Sequence, residues 1–312
     1  LQFRIELRQQ LWGRWRLRGL RKLKTMDLPA LGVGLGYRAP HFTELFLHRA
    51  EVDFLEITVD HFFAVPAEKD AQLALLADHF PLIPHGLNLS LGSADGLDGE
   101  YVEEFAALVD RVRPPWWSEH LAFTRADGIE IGHLTPLPFT REAVEAVRRN
   151  VETARRSIPV PLILENITFN VRLPGAEMTE GEFLRRVVDA TGCGLLLDVT
   201  NLYINSRNHG YDPRRWLDDA PLESVVQLHF VGAERHGERW IDSHATPVSP
   251  GIWELFEDVL ARTPARGAIL ERDEQIPPLL DLIPDLCTAR EIGRRHGCWG
   301  SLSKPTRSGI TG

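Results

Sequence analysis

The runs Pro161-Leu-Ile-Leu-Glu-Asn-Ile167 and Gly194-Leu-Leu-Leu-Asp-Val-Thr-Asn201 decide the fold. Each is a short, unbroken apolar stretch that turns polar at its end. A strand without polar alternation has no face to offer water, which is what a parallel sheet covered by helices requires. Working outward, six more runs read the same way: Leu31–Tyr37, Val52–Thr58, Leu82–Leu89, Trp116–Phe123, Ser224–Gly232 and Gly267–Asp273. Amphipathic segments lie between them. Val102, Phe105, Ala106, Val109 and Val112 make one helical stripe. Val144, Val147, Val151, Ala154 and Ile158 make another, with Thr140 placed to cap it. The sixth unit is the weakest, because Tyr203 to Asp212 reads as a long polar loop. No strand–strand hairpin is read between the units. Eight β/α units in succession predict an α/β fold, a single (β/α)8 TIM-type barrel rather than an open sheet.

A chain of 312 residues suits one such barrel. No run approaches the roughly 18 apolar residues of a membrane helix, and the N-terminus lacks the apolar core of a secretory signal. Cys193, Cys287 and Cys298 have no C-x-x-C spacing, which excludes a disulfide scaffold or a thiolate zinc site and points to the cytoplasm. The first 25 residues carry eight Lys and Arg against Glu6 alone, so the net −9 of the chain leaves −16 on the rest. Residues 1–25 are therefore expected to be a basic, disordered extension before a barrel domain at 26–299, with a disordered tail at 300–312. The acidic body argues against nucleic acid as a partner.

Polar residues recur late in the strands: Glu56, with Asp60 and His61 beyond it; His85; Glu119 and His120; Glu165 and Asn166; Asp198 and Asn201; His229; Glu271 and Asp273. In a barrel these ends form the catalytic face. A lone strand histidine is more often a satisfied core residue, and a lone glutamate can pair with an arginine. Seven strands ending alike suggest a shared cation, because carboxylates are costly to bury unpaired. Strand parity admits only one of Glu119 and His120, and one of Glu165 and Asn166, to the interior. His120 and Glu165 are the preferred ligands. After the seventh strand, Ile241-Asp-Ser-His244 adds Asp242 and His244, which with His229 would make a facial set for one ion. The expected metal ligands are thus His85, His120, Glu165, Asp198, His229, Asp242, His244 and Glu271. Glu56, Glu119, Asn166 and Asn201 would support them or touch substrate. Trp116 and Trp117 read as core, and Gly32, Gly34 and Gly36 as room for close backbone approach rather than a phosphate loop.

These motifs resemble a known family. Gly32-Val-Gly-Leu-Gly-Tyr37, His85-Gly-Leu-Asn-Leu-Ser-Leu-Gly92, Ser118-Glu-His-Leu-Ala-Phe123, Leu164-Glu-Asn-Ile167, Leu197-Asp-Val-Thr-Asn-Leu-Tyr203, Asn208-His-Gly210, Gln227-Leu-His229, Ile241-Asp-Ser-His244 and Leu270-Glu-Arg-Asp273 look like the multinuclear non-heme iron-dependent oxidative enzymes, typified by the methanobactin-biosynthesis oxidase. The resemblance implies a barrel with two or three iron ions and molecular oxygen as co-substrate. It implies oxidation of a residue, often cysteine, in a ribosomally made precursor peptide, commonly delivered by a partner protein. It adds His209 to the substrate-side residues. In such a site Asp242 or Asp273 would accept a proton if left uncoordinated. Two segments depart from the pattern: Phe-Val-Gly-Ala-Glu follows His229 where Ala-Gly-His is more typical, and Asp60-His61 stands where Glu-Asn is more usual. The competing reading is a divalent-metal sugar isomerase or phosphodiesterase of the xylose-isomerase-like or endonuclease-IV-like barrel type.

Overall fold

The structure, a computed structural model, describes residue 23 and residues 25–299. The described strands are β1 (Gly32–Gly36), β2 (Leu55–Thr58), β3 (Leu82–Gly86), β4 (Trp117–His120), β5 (Phe123–Ala126), β6 (Ile129–Thr135), β7 (Leu162–Glu165), β8 (Gly194–Asp198), β9 (Val225–Phe230), β10 (Glu234–His236), β11 (Arg239–Ile241) and β12 (Gly267–Leu270). Eight of them close in the order β1-β12-β9-β8-β7-β4-β3-β2. Every pair in the ring is parallel. This is the expected barrel. Two hairpins were not expected: β5 with β6 and β10 with β11 are antiparallel pairs. Both are excursions of loops that follow β4 and β9, so they leave the closure of the barrel intact.

The helical stripes form as read. The helix Gly99–Val112 buries Val102, Phe105, Val109 and Val112, and the Asp98 carboxylate caps it by accepting the N–H groups of Glu100 and Tyr101. Arg141–Ser157 is capped by the Thr140 hydroxyl, which accepts the N–H of Ala143. The sixth unit corrects the sequence reading. Its strand stops at Asp198, and Val199–His209 is a helix rather than a loop. Its Asn201, Asn205 and Ser206 looked solvent-facing but are buried. The Asn205 side chain donates to Ile167 O and accepts from Phe169 N, tying the helix to the loop after β7.

The barrel interior is filled from below by Leu28, Phe54, Ile83, Trp116, Ile163, Leu196, Val226 and Ile269. Gly34 permits this packing: a Cβ there would lie 2.4 Å from Phe54 O. Leu23 and Leu31 pack against the same cluster. Leu23 N donates to Gly192 O, Thr25 is buried, and its hydroxyl donates to Glu223 O. Described residues therefore reach the barrel floor before Met26, the expected domain start. The rest of the basic arm and the tail at 300–312 lie outside the described residues. No described helix is long and apolar enough to cross a membrane.

Candidate metal centre

Because alternate residues of a strand share a face, the side chains two positions above the apolar layer also point inward. Phe54 leads to Glu56, Ile83 to His85, Ile163 to Glu165, Leu196 to Asp198 and Ile269 to Glu271. Trp116 leads to Ser118 and then His120. The seventh barrel strand breaks the rule by a register shift: Leu195 pairs with Val225, but Leu196 pairs with Gln227. The shift lets Val226 join the apolar layer while Gln227 and His229 still face in. Parallel pairing then brings His120 level with Glu165, and Asp198 level with His229.

Three groups of ligand-capable atoms result, each within 4.8 Å: His85, His120 and Glu165; Glu165, Asp198, His229 and Glu271; and His244, Glu271 and Asp273. In the first, His85 Nε2 and His120 Nε2 each lie 3.4 Å from Glu165 Oε2. In the second, His229 Nδ1 lies 3.1 Å from both Glu165 Oε1 and Glu271 Oε2. In the third, His244 Nδ1 stands 3.7 Å from Glu271 and 3.6 Å from Asp273. Asp242 Oδ1 is 2.7 Å from His244 Nε2 on the other side of the ring, but the pair is not aligned as a hydrogen bond. The expected facial set of His229, Asp242 and His244 is thus divided. His229 goes with Glu165, Asp198 and Glu271, while His244 shares Glu271 with Asp273.

Partners set the histidine rings. His85 Nδ1 meets Ser118 Oγ at 2.8 Å, and His120 Nδ1 lies 3.1 Å from Gly86 O. A carbonyl can only accept, so His120 Nδ1 carries the hydrogen and Nε2 is left as a ligand atom. Glu165 Oε2, Asp242 Oδ1 and His244 Nδ1 are buried without a hydrogen-bond partner. Polar atoms left dry in this way are expensive. A cation would satisfy them, so these residues fit a metal centre.

The ionisable groups are strongly coupled. Burial and the carboxylates of Glu165 and Asp242 push Asp198 up to about 8. Burial pulls His120 down, but Glu165 and Glu119 outweigh it and raise it to about 9. His229 and His244 rise well above the ordinary imidazole value, because their carboxylate neighbours overcome burial. Burial works against ionised Glu271, yet the His229 and His244 imidazoles hold it well below the usual carboxylate range. Perturbation of this kind clusters at functional sites.

The supporting residues sort by contact. Glu119 is buried on the helix side of β4, where its carboxylate accepts the N–H groups of Leu89 and His120. Asn166 clamps the Asp198 backbone, donating to its C=O and accepting from its N–H. Asn201 donates its N–H to the Asp198 carboxylate and its side-chain amide to Asn166 O. His209 stands apart from the three groups, stacked on Phe169 with Nε2 at 2.8 Å from Phe169 O. Three contributors were given no role by the sequence reading. Arg38 is ion-paired with Asp273, Thr168 donates to Asp242 Oδ2, and Gln227 lies beneath His229. Gln227 was findable by parity, two positions before His229. Arg38 and Thr168 sit in loops, where no periodicity points.

A closed parallel barrel with carboxylates and imidazoles gathered at the C-terminal ends of its strands is the build of a barrel enzyme. The comparisons narrow that class. Residues 32–294 match the family described as RiPP precursor modification enzyme MbnB/TglH/ChrH. A UPF0276 protein of Caulobacter vibrioides is 37% identical over 279 residues, covering 88% of this chain and 98% of that protein. Another, from Rhizorhabdus wittichii, is 37% identical, covering 84% of this chain and 95% of its own. This chain belongs to the MbnB/TglH/ChrH family. Solved structures that resemble it share the fold alone. A D-tagatose 3-epimerase-like protein has a TM-score of 0.56 at 14% identity, covering 85% of this chain and 98% of its own. The IOLI protein, solved with a bound zinc atom, has a TM-score of 0.53 at 13% identity, covering 85% and 99%.

Proposed function

We propose that the chain is an iron- and oxygen-dependent enzyme that oxidises a residue, cysteine by preference, in a ribosomally made precursor peptide in the cytoplasm. Family membership supports the peptide. One observation supports a centre of several ions: Glu165 and Glu271 each belong to two ligand groups, so neighbouring cations would share bridging carboxylates. Sets of carboxylate and imidazole without thiolate suit iron, with positions left for other ligands. Two or three bound iron ions would supply the redox capacity and the place where oxygen and a substrate thiolate meet.

The chain's own residues would hold and orient. His85, His120 and Glu165 grip one position; Asp198, His229 and Glu271 grip the next beside Glu165. His244, Asp242 and Asp273 surround the third, nearest the rim. Asp273 is ion-paired with Arg38, which occupies its carboxylate. Asp242, held by Thr168 and bordering His244, is the better-placed proton acceptor. The peptide would enter over the C-terminal ends of the strands, brought by a partner protein.

Protein made in iron-rich medium should carry at least two iron ions and consume oxygen while changing the mass of a cysteine-bearing peptide encoded beside it. His244→Ala should lower metal content and abolish that turnover with the barrel still folded. Full turnover without oxygen, or with zinc alone, would turn the reading toward the isomerase or phosphodiesterase chemistry.

A further inference from the structure

Beneath the second ligand group runs a buried chain of hydrogen bonds. Trp116 Nε1 lies 2.9 Å from Gln227 Oε1, Gln227 Nε2 lies 2.5 Å from Glu56 Oε2, and Glu56 Oε1 lies 2.8 Å from His229 Nε2. Trp116, Gln227 and His229 are wholly buried, and Glu56 is nearly so. An indole N–H only donates, so the amide oxygen of Gln227 must face Trp116 and its NH2 must face Glu56. An ionised carboxylate only accepts, so His229 donates from Nε2 to Glu56, the Gln227 amide nitrogen being the longer contact of that atom at 3.2 Å. Its Nδ1, facing Glu165 and Glu271, is then the nitrogen that would give up its proton to a cation.

The three strand histidines are therefore not equivalent. His85 is backed by a hydroxyl, and His120 by a backbone carbonyl at 3.1 Å with the Glu119 carboxylate farther off at 3.5 Å. His229 has a buried carboxylate at 2.8 Å. A carboxylate behind a ligating imidazole fixes its tautomer and makes it a stronger donor. We propose that Glu56, aimed by Gln227 and Trp116, is a positioning residue that strengthens the hold of His229 on a cation. The position bounded by Glu165, Asp198, His229 and Glu271 is thereby set apart from the one bounded by His85 and His120. The proposal rests on the metal reading above, but not on iron, oxygen or the peptide.

The test is titration of the chelator-treated full-length protein with Co2+, followed by the visible absorption of the bound ion and by melting temperature. His229→Ala provides the spectrum that lacks the second position. Glu56→Gln should weaken that same ion by about 10- to 100-fold, and more than it weakens the ion at the other position. In this variant an amide faces the Gln227 amide, so a second variant separates charge from packing. Glu56→Asp shortens the side chain but keeps the carboxylate. It should lower the melting temperature yet bind cobalt more tightly than Glu56→Gln. Cobalt affinity in Glu56→Asp no better than in Glu56→Gln would make the effect one of packing and overturn the proposal. So would wild-type affinity in Glu56→Gln. A wild-type protein that takes up no cobalt would instead defeat the metal reading, and the proposal with it.

Discussion

Asp198 and His120 hold protons at neutral pH for opposite reasons. Asp198 is a carboxyl that cannot afford its charge among other carboxylates, with a pKa of about 8. His120 is an imidazole whose charge those carboxylates favour, with a pKa of about 9. Both folded values lie above the unfolded ones, about 3.9 and 6.5. The folded chain therefore binds extra protons, and their stabilisation is lost as pH rises through the folded values. Chelator-treated protein should melt at a lower temperature at pH 9 than at pH 7. A cation needs the same atoms deprotonated, so loading at pH 7 should release protons and tighten with rising pH. Calorimetry in two buffers of different ionisation enthalpy measures that release. Identical heats would show that the site is already deprotonated. His244 adds a different residue-scale sign of function. It lies in the left-handed region at φ 50°, a conformation unfavourable for side chains other than glycine and most often retained where a site requires it.

At the scale of elements, the hairpin β10–β11 carries the Asp242–His244 loop back over the barrel. Asn208, on the helix after β8, fastens it by accepting Trp240 N–H and donating to Trp240 O, each at 2.9 Å. Asn208→Ala should free the loop locally and lower metal content at the third position. The barrel should melt within about 2 °C of wild type, because a surface hairpin opens without global unfolding. An unchanged metal content would show that the loop is held by other contacts. The same elements mark where the sequence was legible. The strands were readable because an apolar run followed by an acid two positions above a core residue, as in Ile163 to Glu165, is a pattern of period two. The hairpins were not, since three of their four strands have only three or four residues and the fourth, Ile129–Thr135, has no buried residue to set a period. The helix Val199–His209 was missed because Asn201, Asn205 and Ser206 are buried to bind backbone rather than exposed to water, and composition alone cannot distinguish the two.

For the whole molecule, the barrel has a dry end and a polar end. Apolar side chains seal the first, and ionisable groups gather at the second. The eight-unit order was legible because every unit repeats one signal. The grouping of the ligands was not, because it depends on the one-residue register shift between β8 and β9. At the dry end, the sequence suggested that everything before Met26 could be removed freely. The packing of Leu23 and the burial of Thr25 alter that expectation. A chain starting at Leu23 should match the full chain in melting temperature. One starting at Met26 should lose on the order of 1 kcal/mol, from a half-buried leucine and its hydrogen bond. That corresponds to roughly 2–4 °C. Equal melting of the two truncations would show that the floor contacts contribute nothing.

Because Glu165 and Glu271 are each held in common by two groups, the ions would not fill independent vessels. An ion entering the middle position would pull both carboxylates into place for its neighbours and neutralise part of the charge that they would otherwise meet alone. Occupancy would then be cooperative. At limiting metal, a population of chains would divide into full and empty molecules more than into partly filled ones. Scarcity of metal would reduce how many enzymes work, rather than how well each one does.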